Sequence, residues 1–487
     1  MAINATQPNM LLIMTDQHRF DRLSCMSGNI PRTPHLDRLA FEGVRFTNAY
    51  TPSPVCAPAR AAIKSGMYPP GCGVVGNWVP FKEGVELLTE RLRHQGYETA
   101  LVGKLHFVPP LRRFGFDRQV LHDAPYSTYA HDDRYSAYIH WLRHEAGWQE
   151  EVDPVALFDG DEEAFRTNDW YRFIMGSNFR TEAQHDTTWT TDVALRYLEE
   201  RDRDKPFFLF VSYFGPHQPF DVPDPWHRLY DPNEIVLPPQ FDADMSAHPI
   251  FQATCGARAR QFKKMFDREA YRRMLAAYYG QVSMIDHQIG RLFEKMTAKG
   301  EWENTLVIFV SDHGDHNGAY GLFFKGQMYD SCCKIPLLIK PPRYRTGGLV
   351  RKEVVNTLDL YGTILDMAGD NAWRAPHIEA RSLLPLFEAG PVVWGNRAWS
   401  IIGADATHNL TMLRQDNLKL IRLARGQREP LYEMYDLCDE VVETRNVYED
   451  STYRAEREAL RAELDTWWRL QAERYPAKVC SYVRRDN

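Results

Sequence analysis

The segment TPSPVCAPARAAIKSGMYPP, residues 51–70, carries a single cysteine, Cys56, followed at short offsets by Pro58 and Arg60. A cysteine in this setting can be a metal ligand, a nucleophile, a packed thiol or a residue that is chemically modified. A thiolate nucleophile usually has a histidine partner, and a zinc thiolate site needs further cysteines at short spacing, which this segment lacks. Neither chemistry explains Pro58 and Arg60, so the segment alone leaves the role of Cys56 open.

Acidic residues follow two apolar runs that are typical of buried strands. Asp16 and Gln17 come directly after LLIMT, and Asp312 and His313 come directly after TLVIFVS. Two carboxylates with an amide and an imidazole beside them suit a hard divalent cation. Alternatively, each aspartate caps the helix that follows it, which is a common role for aspartate.

Cationic side chains occur in three further polar segments. Lys104 and His106 lie in GKLHF, and we expect both to point to one side of an extended segment. His217 lies between prolines in GPHQPF, and Lys325 lies in the glycine-flanked loop GLFFKGQ. Each alone could be a solvated lysine or a structural histidine. Together with a divalent metal, they predict a pocket for a tetrahedral oxyanion.

A unit of helix, glycine, apolar strand and polar strand end recurs along the chain. Strands are predicted over residues 9–16, 97–104, 207–214 and 305–312. Helices are predicted over residues 34–42, 86–95, 191–201 and 271–296. This order is typical of an α/β fold with a large doubly wound, mainly parallel sheet flanked by helices. Ligands of such sheets lie at the carboxyl ends of the strands, where Asp16, Lys104, His217 and Asp312 are placed.

The pattern changes near residue 390. Four short strand candidates, RAWSIIGA, HNLTMLRQ, LKLIRLA and PLYEMYDL, predict an antiparallel sheet, and a charged helix over about residues 452–471 follows. We therefore predict a catalytic α/β domain over residues 1–384 and a smaller α+β domain over residues 385–487. The tail YPAKVCSYVRRDN has too few apolar residues to fold alone, so we expect it to lie on this subunit or a neighbouring one, in a homodimer or homotetramer.

Composition excludes several classes of partner. The 487 residues are 44% hydrophobic and 25% charged, with a formal charge of −7, which favours neither nucleic acid nor an anionic membrane as partner. The N-terminal apolar run lacks a basic flank and is interrupted by Asp16, so it is typical of neither a signal peptide nor a membrane span. Eight cysteines without a repeated spacing favour a reducing compartment, and we expect a cytoplasmic protein.

Five quoted segments carry a resemblance to a known family. CAPAR fits the C-x-P-x-R signature of the formylglycine-dependent sulfatases of the alkaline phosphatase superfamily. YETALVGKLHF is similar to the second signature of that family, PNMLLIMTDQ and LVIFVSDHGD to its metal strands, and GPHQPF to its histidine loop. The resemblance covers most of residues 8–370 in the expected order. It implies an alkaline-phosphatase-like fold and hydrolysis of sulfate monoesters to an alcohol and inorganic sulfate.

The resemblance also implies the cofactors. Cys56 would be oxidised to Cα-formylglycine by a formylglycine-generating enzyme during synthesis. One divalent cation, Ca²⁺ or Mn²⁺, would be held by Asp16, Gln17, Cys56, Asp312 and His313. Many sulfatases have a second aspartate in place of Gln17 and an asparagine in place of His313, and the imidazole shifts the preference towards manganese.

Roles for the remaining residues follow from the same resemblance. The hydrated formylglycine would attack sulfur to give a covalent sulfo-enzyme, with Asp312 assisting the deprotonation and Arg60 holding the diol. His217 and Lys325 would protonate or stabilise the leaving alcohol, and Lys104 would neutralise the non-bridging oxygens. His106 would then remove the proton of the second hydroxyl to release sulfate. Asn77 would lie near the substrate oxygens.

Rival interpretations remain open at this point. A phosphonate monoester or phosphodiester hydrolase would use the same formylglycine, but such enzymes tend to have tyrosine and threonine in place of Lys104 and His106, so we favour a sulfatase. An inactive binding protein is less consistent with a sequence in which the metal, nucleophile and cation positions all carry competent residues. An unmodified cysteine hydrolase is a weaker interpretation still. The alcohol half of the substrate is not readable from the sequence, although the aromatic region 109–185 is expected to line the pocket mouth.

Overall fold

The apolar runs form the centre of an eight-stranded sheet. The computed structural model describes residues 7–28, 30–123, 135–147, 170–175, 180–343, 346–403, 407–438 and 443–475. The strands of the sheet are β1 (Asn9–Thr15), β2 (Val44–Tyr50), β3 (Glu98–Gly103), β4 (Arg118–Leu121), β5 (Phe207–Ser212), β6 (Thr305–Ser311), β7 (Lys334–Lys340) and β8 (Leu349–Asn356). Their order is β4-β3-β5-β1-β6-β7-β2-β8. Strand β7 runs antiparallel to both neighbours and the other pairings are parallel, which confirms the predicted sheet.

Helices lie against both faces of this sheet. The described α-helices are α1 (Ser24–Ser27), α2 (Pro34–Glu42), α3 (Cys56–Ser65), α4 (Pro69–Cys72), α5 (Leu88–His94), α6 (Ala137–His144), α7 (Trp170–Met175), α8 (Asp186–Glu200), α9 (Pro249–Thr254), α10 (Gly256–Met265), α11 (Arg268–Ala298), α12 (Asp330–Cys333), α13 (Asp359–Met367) and α14 (Arg454–Arg474). Among the described residues, no helix combines the length and apolar character needed to cross a bilayer.

Strand β1 shows why the sheet is buried on both faces. Met10, Leu12 and Met14 belong to one hydrophobic cluster, whereas Leu11 and Ile13 belong to a second cluster on the opposite face. Side chains alternate between the two faces of a strand, so a continuous apolar run is the pattern expected for a strand covered on both sides.

The C-terminal strands form a second, antiparallel sheet, as predicted. Its strands are β9 (Arg397–Gly403), β10 (His408–Gln415), β11 (Leu418–Arg425) and β12 (Arg428–Asp436), in the order β12-β11-β10-β9. Ile401, Leu413 and Trp467 from this part of the chain belong to the same buried cluster as Met10 of the main sheet. The division at residue 384 stays a prediction, as does the homodimer or homotetramer, and the predicted tail from residue 476 onward lies outside the described residues.

The register of the central strands brings their polar ends together. Thr15 of β1 pairs with Ser311 of β6, and Ser212 of β5 pairs with Gly103 of β3. Because these strands are parallel, the residues after them emerge at one edge of the sheet. The predicted convergence of Asp16, Asp312 and Lys104 at this edge therefore follows from the register.

A buried ion cluster joins the second sheet to the first. Lys419 of β11 is fully buried, and its Nζ lies 2.8 Å from Asp330 Oδ1 and 2.5 Å from Glu443 Oε1. Burial raises the pKa of Asp330, but Lys419, Lys334 and Arg414 together outweigh burial and bring that pKa to about 2. Asp330 is the first residue of helix α12, and this helix follows the Lys325 loop in the sequence.

We expect Lys419→Met to lower the free energy of unfolding by about 3–5 kcal/mol, because it leaves two buried carboxylates without their cation. Urea unfolding followed by circular dichroism measures this change. Lys205→Met is the matched control, since Lys205 forms an exposed pair with Asp202 at 3.6 Å. Equal unfolding midpoints for the two variants would contradict the expected loss.

Candidate active site

Cys56 is the first residue of helix α3 and is buried. Pro58 is tolerated because it falls in the first turn, where its missing amide hydrogen would have no helical acceptor. The small residues Ala57, Ala59 and Ala61 allow the helix to be buried along its length. The positive end of the helix dipole favours negative charge on the side chain of residue 56.

Arg60 joins the two predicted carboxylates beneath Cys56. Its Nε lies 2.8 Å from Asp312 Oδ2, and its Nη2 lies 3.2 Å from Asp16 Oδ2. Its Nη1 donates to the Lys104 carbonyl at 3.0 Å and to Ser212 Oγ at 2.8 Å. The guanidinium therefore positions both carboxylates, while a direct contact with a modified Cys56 stays a prediction.

Two lysines place positive charge beside Asp16 and Cys56. Lys104 Nζ lies 2.7 Å from Asp16 Oδ2, and Lys325 Nζ lies 3.9 Å from Asp16 Oδ1. Burial and Asp16 raise the pKa of the Cys56 thiol, but Lys325, Lys104 and His313 outweigh them and hold it well below its usual value. The site therefore stabilises negative charge at residue 56 and around it.

Asp16, Cys56, Asp312 and His313 each offer one ligand atom, and these atoms lie within 4.8 Å of one another. The His313 Nδ1 lies 2.9 Å from the Gly314 carbonyl and donates to it, so Nε2 is the ring nitrogen that faces the other three residues. His313 Nε2 is 3.2 Å from Cys56 Sγ. Two carboxylates and an imidazole in this arrangement fit a divalent cation.

Asp312 shows the repulsion that such a cation would relieve. Its Oδ1 accepts the amide hydrogens of Gln17 at 3.1 Å and His313 at 2.8 Å. Burial and the neighbouring Asp16 raise the pKa of Asp312 despite the adjacent Arg60. A divalent ion near both carboxylates would favour their charged forms.

Gln17 lies at the site, but its amide already has partners. Its Oε1 accepts from Lys325 Nζ at 2.6 Å, and its Nε2 donates to Gln218 Oε1 at 2.8 Å and to Asp315. The predicted ligand role of Gln17 stays a prediction, because a bound metal would compete with Lys325 for the same oxygen.

His217 is buried in its proline-flanked loop beside Phe214, with 5.0 Å between the ring centroids. Burial and Lys325 lower the pKa of His217 well below its usual value. Its Nδ1 lies 2.7 Å from the Gln218 carbonyl, which places the proton of the neutral ring on Nδ1. Such a ring presents a lone pair and no hydrogen at Nε2. The predicted roles of His217 and Lys325 towards the leaving alcohol stay predictions.

The local prediction for His106 is wrong. The sequence predicts an extended segment that places Lys104 and His106 on one side, but Gly103 has a φ of 102° and His106 a φ of 64°. These left-handed residues turn the chain after β3, so two-residue alternation does not apply. The His106 amide donates to Asp123 Oδ2 at 2.8 Å, and its ring lies 5.1 Å from that of Trp78. Its role as a base stays a prediction.

Asn77 is exposed next to the start of helix α3, where its Oδ1 accepts from the Ala57 amide at 3.1 Å. This position is compatible with the predicted contact to substrate oxygens. Much of the aromatic region expected at the pocket mouth, residues 124–134, 148–169 and 176–179, lies outside the described residues.

Sequence reasoning missed three residues that support the site. Ser212 accepts from Arg60, whereas Gln218 and Asp315 both accept from the Gln17 amide. Gln218 and Asp315 could have been found from their positions in the sequence. Gln218 directly follows His217, and Asp315 lies two residues after His313.

The sequence also matches a known protein family. The sulfatase family model matches residues 8–370, which contain every predicted site residue. The chain belongs to the sulfatase family. It is therefore a sulfuric ester hydrolase of the alkaline phosphatase superfamily. A second model, N-sulphoglucosamine sulphohydrolase, C-terminal, matches residues 318–469 and covers the second sheet of this sulfatase.

Named relatives span nearly the same length. An arylsulfatase of Clostridium perfringens is 30% identical over 474 residues, which cover 93% of each chain. A multifunctional alkaline phosphatase superfamily protein of Trinickia caryophylli is 31% identical over 452 residues, which cover 85% of each chain. The phosphonate monoester hydrolase of Agrobacterium radiobacter has the same fold, with a TM-score of 0.76 at 24% identity over 95% of this chain and 96% of that one.

Proposed function

We propose that this sulfatase hydrolyses sulfate monoesters of the arylsulfatase type through a Cα-formylglycine made from Cys56. The observation that carries the proposal is the position of Cys56 at the start of a buried helix. Its Sγ lies 3.2 Å from His313 Nε2 and 3.7 Å from Asp16 Oδ1, among cationic side chains. A formylglycine-generating enzyme would be needed as a partner during synthesis, as the family resemblance implies.

The proposed metal is one divalent cation held by Asp16, residue 56, Asp312 and His313. When bound, it supplies positive charge that lowers the pKa of a nucleophilic hydroxyl and polarises the sulfate. The imidazole of His313 favours Mn²⁺ over Ca²⁺ as the ion, because nitrogen ligands suit transition metals better than calcium.

The protein's own side chains provide the remaining charge stabilisation. Lys104 sits beside Asp16 and is buried, so its ammonium is placed to neutralise non-bridging sulfate oxygens. Lys325 retains 18% exposure and can therefore reach a substrate. With an unmodified Cys56, burial lowers the pKa of Lys325, but the Cys56 thiolate, Asp16 and Asp312 raise it above its usual value. In the formylglycine form, the Asp16 carboxylate 3.9 Å away still favours the protonated ammonium that a leaving alcohol needs.

A phosphonate monoester or phosphodiester hydrolase is the second candidate. The relative from Trinickia caryophylli is described as multifunctional, which favours some activity towards both classes of ester. Lys104 argues for the sulfatase as the principal activity, because it adds a cation 2.7 Å from Asp16 where phosphonate hydrolases tend to have a neutral residue. Sulfate and phosphonate monoesters are both tetrahedral anions, so partial overlap is expected.

The test compares kcat/KM for 4-nitrophenyl sulfate and 4-nitrophenyl phenylphosphonate with the same preparation of metal-loaded enzyme. Both substrates release the same alcohol, so the comparison isolates the transferred group. We expect the sulfate ester to be the better substrate. A higher kcat/KM for the phosphonate ester would contradict the proposal and favour the second candidate.

We also propose a reducing compartment such as the cytoplasm. The seven cysteines among the described residues are free, which supports this location.

A further inference from the structure

Trp78 is an aromatic residue that the fold leaves open to solvent. It is 44% exposed, whereas the other tryptophans among the described residues are buried or half-buried. Its backbone has a φ of 66°, a left-handed conformation that a residue with a large side chain rarely adopts. Backbone strain of this kind concentrates at active sites and ligand-binding sites, so the exposed indole is a candidate for contact with a ligand.

The residue before Trp78 contacts the helix that carries Cys56. Asn77 Oδ1 accepts the amide hydrogen of Ala57 at 3.1 Å, and Ala57 directly follows Cys56 in helix α3. Cys56 and Ala57 are buried, whereas Asn77 and Trp78 are exposed. Trp78 therefore lies at the solvent-facing rim of the site.

The indole is held against the segment that follows strand β3. The centroids of the Trp78 and His106 rings lie 5.1 Å apart, with an angle of 64° between the ring planes. Close by in both segments, the rings of Phe81 and Phe107 meet at 4.9 Å. The loop that carries Trp78 and the segment that carries His106 are therefore joined by two aromatic contacts.

A planar aromatic group is the chemistry that fits this surface. Because the rings of Trp78 and His106 meet edge to face rather than stacked, the pair leaves aromatic surface open. A second aromatic ring gains from an offset or edge-to-face contact with indole as well as from its own burial. Lys104 and Lys325, at 2.7 and 3.9 Å from Asp16, add positive charge to the neighbouring site, which favours an anionic ester and disfavours a cationic alcohol.

We propose that Trp78 is a specificity residue that packs against an aromatic ring in the alcohol half of the substrate. The proposal rests on the proposed function, because it takes sulfate esters as the substrates of this site. The contacts that hold Trp78 in place involve His106, Asn77 and the Ala57 amide, none of which is a predicted metal ligand. These contacts therefore do not compete with a bound cation.

The test compares phenyl sulfate with hexafluoroisopropyl sulfate, an alkyl ester whose alcohol has a pKa close to that of phenol. Released sulfate is measured by ion chromatography for the metal-loaded natural enzyme and for Trp78→Ala. The ratio kcat/KM contains substrate binding and transfer of the sulfate to the enzyme, but not the later release of sulfate, in which His106 would act. We expect Trp78→Ala to lose about tenfold in kcat/KM for phenyl sulfate and less than about twofold for the alkyl ester.

Trp78→Phe and Phe41→Ala are the matched controls. Phenylalanine retains an aromatic face, so Trp78→Phe should stay within about threefold of the natural enzyme on phenyl sulfate. Phe41 lies in helix α2, outside the predicted site, and is 74% exposed. Its replacement removes a comparable exposed ring and should change kcat/KM for neither ester.

Binding to a Cys56→Ala variant separates the inference from the proposed function. This variant cannot turn the ester over, and isothermal titration calorimetry should show about tenfold weaker binding of phenyl sulfate when Trp78→Ala is added. A natural enzyme that hydrolyses neither sulfate ester overturns the proposed function, and the calorimetric loss would then still support the aryl contact.

Three results would overturn the inference itself. The first is an equal loss of kcat/KM for the two esters in Trp78→Ala, and the second is an unchanged calorimetric affinity for phenyl sulfate. The third is a larger loss for choline sulfate than for phenyl sulfate, which would assign the indole to a cationic alcohol.

Discussion

Replacing Cys56 with alanine reduces kcat for sulfate ester hydrolysis by on the order of 10⁶-fold, the scale seen when a covalent nucleophile is removed. The reason is that alanine can be neither oxidised to formylglycine nor used as a nucleophile. Arg60, Lys104 and Lys325 remain in place in this variant, so substrate binding should persist with little change in KM. Steady-state kinetics with 4-nitrophenyl sulfate provides the measurement.

Cys72→Ala is the matched control for this substitution. Cys72 is also buried, and it lies in helix α4 with its Sγ 3.6 Å from the Pro69 carbonyl. Burial raises the pKa of the Cys72 thiol to about 11, so it stays a neutral packed group. We expect kcat near that of the natural enzyme. Comparable activity in Cys56→Ala and Cys72→Ala would contradict a role for Cys56 in the reaction.

Asp16→Asn is expected to weaken binding of the divalent cation by about 100-fold or more, and activity should fall with it at limiting metal. Asn keeps the size of the side chain but removes one of the two carboxylates in the metal quartet of Asp16, Cys56, Asp312 and His313. Burial raises the pKa of Asp16, but Lys104, Lys325 and Arg60 outweigh it, so this residue supplies a full negative charge in the natural protein. Isothermal titration calorimetry with Mn²⁺ and Ca²⁺ measures the affinity directly.

Asp21→Asn is the control on the same segment. Asp21 pairs with Arg19 at 2.8 Å and lies outside the quartet, so its variant should bind metal like the natural protein. Equal Mn²⁺ affinities for Asp16→Asn and Asp21→Asn would show that the quartet is not the metal site.

The central strands could be predicted closely because their sequences are unambiguous. Residues 9–16 and 305–312 are continuous apolar runs, and the structure places strands at Asn9–Thr15 and Thr305–Ser311. Helix α2 ends at Glu42 directly before Gly43, as the glycine indicated. Strong periodicity and clear end signals leave few alternatives for such elements.

The site was less predictable where single backbone angles decide direction. His106 and Gln17 both adopt left-handed conformations, with φ values of 64° and 65°. No pattern of residue types in the sequence predicts these backbone angles. Local turns of this kind are determined by tertiary contacts, such as the Asp123 carboxylate that accepts the His106 amide. Asp315 accepts the backbone amides of Asn317 and Phe324 and also contacts the Gln17 amide. It was missed as well, because only its position two residues after His313 pointed to the site.

The most direct test of the formylglycine mechanism is mass spectrometry of the tryptic peptide FTNAYTPSPVCAPAR, residues 46–60, from protein made in its native organism. The mechanism predicts an aldehyde at residue 56 in place of the thiol, and that aldehyde should react with a hydrazine reagent. An intact thiol that is alkylated by iodoacetamide, in a preparation that hydrolyses sulfate esters, would contradict the formylglycine mechanism.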